Sequence, residues 1–130
     1  MKFMLMMQAP RGSGDWAVMS WPPKAIQGHI AYMKTLYNDL KSAGQLVDAQ
    51  GLVPPADARI VRANDSGKPE VTDGPFAEAK EFLAGYWIVD VASKDEAYAI
   101  AARASMAPGK DGQPLHLPIE IRQVMAAPEV

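Results

Sequence analysis

Among the 130 residues there are two histidines and no cysteine. The absent thiol removes disulfides, thiolate metal sites and cysteine nucleophiles together. Histidine is the side chain that titrates nearest neutrality, so His29 and His116 are the first candidates for acid–base work. His116 stands alone in a loop between Leu115 and Leu117. His29 sits near the start of a helical stretch, before Ile30, Ala31 and Tyr32. It is either a general acid or base needing a carboxylate partner, or a residue just off an apolar stripe that packs or caps. Asp73 opens the run Asp73-Gly74-Pro75, a fixed bend, because Gly is permissive and Pro lacks a donor. Its carboxylate either holds the turn by accepting backbone N–H bonds or lines a cleft and pairs with His29. Phe76 follows the bend and reads as a core anchor, with a ligand contact as the alternative. Glu78, Lys80 and Glu81 form a mixed-charge cluster, either a solvated surface or one that sends a group inward. Arg122 can meet an anionic group through its fork of donors, or pair with a carboxylate such as Asp90.

Other chemistries find no support. Gly12-Ser13-Gly14 lacks the further Gly and the Lys-Ser/Thr of a phosphate loop. No Gly-x-Ser-x-Gly elbow marks a serine hydrolase. With two histidines and no cysteine, a transition-metal site would need carboxylates for its remaining ligands, so no metal and no cofactor is expected. The eight methionines are spread along the chain, as core filling is. The formal net charge is −2 with no run of Lys or Arg, which gives no footprint for nucleic acid. The apolar run Phe3 to Met7 is too short for an export signal or a membrane span. A cytoplasmic protein that meets neither membrane nor nucleic acid is expected.

The elements that must position these residues are legible from periodicity and punctuation. Lys2 to Met7 is short and apolar and reads as a buried strand. Residues 10–23 form a Gly- and Pro-rich loop carrying Trp16 and Trp21, a packed cover or part of a binding site. Pro22 and Pro23 suit a helix start. From there Ile26, Ile30, Met33, Tyr37 and Leu40 recur at helical spacing and predict one apolar face. Gly44 ends that helix. Gln45 to Gln50 and Arg59 to Arg62 read as strands, with Asn64 to Pro69 a turn cluster. Leu83 to Val91 is the strongest strand signal, apolar on both alternating faces. Ser93 with Glu96 matches a capping box before a second helix that runs to about Ser105. Residues 107–118 read as a loop, and Ile119 to Met125 as the last strand. The order predicts an α+β, ferredoxin-like βαβ-ββαβ chain: one antiparallel sheet with two helices on one face, in a single domain over residues 1–130. A strand apolar on both faces needs cover on both sides, so a homodimer with two-fold symmetry is predicted.

The stretch from Val71 to Glu81, with Leu83-Ala84-Gly85-Tyr86 after it, resembles the DGPF-motif branch of the YCII-related family. The likeness continues through Ser93 and Glu96-Ala97 to Ile119-Glu120-Ile121-Arg122, and Lys2-Phe3-Met4-Leu5 fits at the start. Ala79, Phe82 and Ala84 stand where that family usually has Thr, Gln and Gly. The resemblance implies a dimeric α/β barrel and an undefined activity. It implies a small-molecule enzyme or binding protein for a small polar molecule, or an interaction module linked to an extracytoplasmic-function sigma factor. It also makes Asp48 the acidic partner of His29. The expected cleft is His29, Asp48 and Asp73 as acid–base groups, with Trp16, Trp21, Phe76, Lys80, Glu81 and Arg122 as ligand contacts.

Overall fold

A computed structural model describes residues 1–11, 18–76 and 78–128. The first strand, β1 (Lys2–Pro10), alternates buried and half-buried side chains. Phe3, Leu5, Met7 and Ala9 enter the core, while Met4, Met6 and Gln8 point the other way. Helix α1 (Pro23–Ser42) starts with Pro23 in its first turn and ends at Gly44, whose φ of +71° suits a residue without Cβ. The Gly44 N–H donates to the Lys41 carbonyl and the Gln45 N–H to the Leu40 carbonyl, the two bonds of a Schellman stop. Strand β2 (Leu46–Gly51) follows. Later come β5 (Glu81–Asp90), α2 (Lys94–Ser105) and β6 (Ile119–Gln123). The capping box forms: Ser93 Oγ accepts from the Glu96 N–H, and Glu96 returns to the Ala92 N–H.

These four strands make one antiparallel sheet in the order β2-β5-β1-β6. That order, with helices after the first and third of the four, is the ferredoxin-like α+β arrangement. The core lies between the sheet and the helices. Leu5, Trp87 and Val89 come from the sheet, Leu36 and Leu40 from α1, and Ala97, Ile100 and Ala104 from α2. Alanines on α2 let that helix approach closely. The helices are also tied at their surface, where Arg103 pairs with Asp39 and the Tyr32 hydroxyl donates to the Arg103 carbonyl.

Three sequence expectations need correction. First, Pro69–Asp73 is a strand, β4, rather than turn and bend alone. It pairs with β3 (Arg59–Ala63) in a separate two-stranded sheet, so β3 is not part of the main sheet. The hairpin buries nothing: among its ten residues only Ile60 is better than exposed. Second, the buried stripe of α1 is His29, Leu36 and Leu40 with Met33 packed beside them, whereas Ile30 and Tyr37 are 43% and 40% exposed. The helix is turned from the predicted face because a histidine takes a core position there. Third, Phe76 is 61% exposed and is no core anchor.

Candidate functional site

His29 is 8% exposed, which demands partners for its ring. Its Nδ1–H donates to the Pro108 carbonyl oxygen at 2.9 Å. A carbonyl only accepts, so the proton sits on Nδ1. Trp21, 4% exposed, meets the imidazole edge-on with ring centroids 5.5 Å apart. The loop after α2 supplies the carbonyl, and the segment before α1 supplies the indole. The histidine is thus oriented from two sides, by Pro108 from far along the chain and by Trp21 from just before its own helix.

His29 also lines a cavity of about 250 Å³ between α1 and the sheet. Met33 and Tyr37 continue its helical wall, one and two turns on from His29. The sheet wall is Met7 of β1, Ala49 to Gly51 of β2 and Ala84 to Trp87 of β5. Its lining is mostly apolar and, among the described residues, contains no Lys, Arg, Asp or Glu. Gly85 is paired with Gly51 across β5 and β2. A Cβ at Gly85 would lie 2.9 Å from the Gln50 carbonyl oxygen, so glycine is what lets these strands meet here.

Asp48 lies on the other side of the sheet. It pairs with Ile88, while its neighbour Ala49 pairs with the buried Trp87. The Tyr86 hydroxyl donates to Asp48 Oδ2 at 2.9 Å and the Gln50 amide to Oδ1 at 3.1 Å. The Tyr86 hydrogen bond, followed by that of Gln50, holds the Asp48 carboxyl below its usual value of 3.8, and the same bond to Asp48 raises the Tyr86 hydroxyl above 10.0. Asp73 ends β4, exposed, with Arg59 Nε 3.7 Å away. Neither carboxylate lines the His29 cavity.

Of the remaining expected contacts, Trp21 reaches His29. Trp16 lies outside the described residues. Phe76 and Lys80 are exposed ahead of β5, and Glu81 is exposed as its first residue, paired with Pro10. The Phe76 and Lys80 carbonyls there accept from the Arg11 side chain and backbone N–H. Arg122 is exposed on β6, opposite Met4. Asp90 accepts from the Met1 amine at 3.0 Å rather than from Arg122. The sequence reading missed Met33 and Tyr37 as wall residues. Their spacing of four and eight from His29 was the available signal, because it places all three on one helix face. It also missed the small residues of β2 and β5, whose signal was glycine at the paired positions 51 and 85.

Among the described residues no three His, Asp or Glu gather as metal ligands. No helix in them is long and apolar enough to cross a membrane.

Residues 1–109 match the YCII-related domain, a span from β1 to just past α2. An uncharacterized protein of Rhizobium meliloti (strain 1021) is 43% identical over 88 residues, 68% of this chain and 70% of that protein. A family match over most of the chain, joined to the ferredoxin-like sheet, places this chain in the YCII-related domain family.

Proposed function

We propose that this chain binds a small molecule in the cavity under α1, with His29 as its principal polar contact. The observation that carries this reading is a buried histidine, oriented by Pro108 and Trp21, in a cavity whose lining is otherwise mostly apolar. A His/Asp acid–base pair has less support, since Asp48 and Asp73 are spent elsewhere. Binding is therefore the role the geometry favours. The test is fragment binding followed by amide chemical shifts. Shifts are expected to cluster on His29, Met33, Ala49 and Gly85 and to weaken in His29→Asn. Fragments that perturb only the β3–β4 hairpin or the β6 edge would sink the reading.

A second reading concerns assembly, and a separate observation favours it. On the sheet face away from the helices, Met4, Met6, Tyr86 and Ile88 are half-buried side chains that are not packed against the core. A second copy laid on this face would cover them symmetrically, making a homodimer. Sedimentation is expected to give a dimer, and Met6→Glu a single chain. A wild type that sediments as a single chain would remove the homodimer. The face would then be left to a heterologous partner such as an extracytoplasmic-function sigma factor.

A further inference from the structure

The ligand class follows from the shape and charge of the cavity, and this step rests on the binding reading above. The middle of its sheet side is a floor of Ala49, Gly51, Ala84 and Gly85, with no side chain longer than a methyl. Met7 and Trp87 flank this floor, and Gln50 and Tyr86, which also line the cavity, bond Asp48 through their polar ends. Opposite stand Met33 and Tyr37 of α1. A floor of small residues on a pleated sheet, faced by a helix, makes a slot rather than a sphere. Flat molecules fill a slot with contact on both faces, and contact is what dispersion rewards. Met33 adds a polarizable sulfur above the plane, and Trp87, 8% exposed, an aromatic wall. The volume fits this shape as well. A cavity of roughly 150 Å³ suffices for benzene, so about 250 Å³ holds one ring with a substituent or two fused rings.

Charge narrows the class further. An ionised ligand loses its hydration on entering, and among the described residues no Lys, Arg, Asp or Glu lines this slot to compensate. Phosphates, carboxylates and ammonium compounds are therefore poor occupants. His29 and Tyr37 are the polar side chains on the helical wall, and they suit a ligand with one neutral hydrogen-bonding group.

We infer that the slot between α1 and the β2–β5 floor takes an uncharged planar ring compound of one or two fused rings. The expectation of a small polar molecule shifts accordingly toward an aromatic one. The probe is indole, titrated into the full chain and followed by amide chemical shifts. Three comparison ligands are cyclohexanol, which is not flat, and indole-3-acetate and tryptamine, which are flat but carry opposite charges. Indole is expected to saturate shifts at Met33, Ala49 and Gly85, and to bind about tenfold tighter than each of the three. Ala84→Leu and Ala49→Val raise the floor at different strands. Either one that keeps the wild-type amide spectrum is expected to lose indole binding. Cyclohexanol binding as tightly as indole would overturn the flat-ligand inference while leaving small-molecule binding intact. Charged analogues binding as tightly would overturn the uncharged class in the same way. Silence from all four compounds at the slot residues, with the fragment test above also empty there, would remove the binding reading itself.

Discussion

Gly85 shows how much of the cavity depends on one absent side chain. A Cβ there meets backbone, the Gln50 carbonyl oxygen, which cannot rotate away as a side chain would. Gly85→Ala must therefore push β2 off β5, at a cost of about 1–3 kcal/mol. Chemical denaturation measures the loss, and amide shifts at Ala49 and Gly51 report the displacement. An unchanged denaturation midpoint would mean that β2 yields freely. Asp48 offers a test through pH. Its carboxyl is held below 3.8 by Tyr86 first and Gln50 second, so this contribution is present above pH 3.8 and fades as pH falls through the lowered folded value. The Tyr86 hydroxyl is raised above 10.0, so its share is complete below pH 10.0 and fades as pH climbs through the raised value. The stability gap between wild type and Tyr86→Phe is therefore expected to be flat between these limits and to close beyond both. A gap that persists unchanged in acid would show that the bond to Asp48 is not its source. The same residue explains why the expected His29–Asp48 pair does not form. Leu46 packs on the core, and strict alternation would put Asp48 on that face too. The pairing slips between Leu46 and Asp48, and one extra residue sends the carboxylate to the opposite face. No residue type near Val47 announces that slip. His29 was legible as a candidate from its type, but its Pro108 and Trp21 partners belong to loops that periodicity does not describe.

At the scale of elements, what could be read is what carries its own punctuation. Both helices were bounded by local chemistry, Pro23 and Gly44 for α1, Ser93 and Glu96 for α2. Such signals act through neighbouring backbone groups and need no tertiary context. They also give a prediction. Ser93→Ala removes the acceptor of the Glu96 N–H and is expected to cost about 1 kcal/mol, read as a lower denaturation midpoint with no change in slope. A midpoint unchanged from wild type would mean that water replaces the hydroxyl without loss. The rotational setting of α1 was a different matter. Counting apolar residues favoured the face through Ile30 and Tyr37. The fold instead buries His29, whose ring is satisfied by hydrogen bond and ring contact, a satisfaction invisible in a hydropathy pattern. β4 was missed for the opposite reason. Proline, aspartate and threonine suggest turn, and the strand exists only because β3 lies beside it.

At the scale of the molecule, two sheets of unequal standing share one chain. The four-stranded sheet is welded to both helices through the core, and β1 and β5 are its central strands. Among the described residues the β3–β4 hairpin pairs only with itself, and Val61 and Val71, opposite each other, are each 60% exposed. A lone hairpin of two strands is marginal in water. It should therefore open far more readily than the body opens. Hydrogen exchange is expected to show hairpin amides exchanging about a hundredfold or more faster than those of Leu5 and Trp87, which open only with global unfolding. The comparison also discriminates between settings. Exposed valines on a self-paired hairpin gain protection only if something covers them. Hairpin amides as slow as those of Leu5 at high protein concentration, and fast on dilution, would show that a second copy covers the hairpin as well as the sheet face. Equal slowness at every concentration would contradict the autonomy of the hairpin and tie β3 and β4 energetically to the main core.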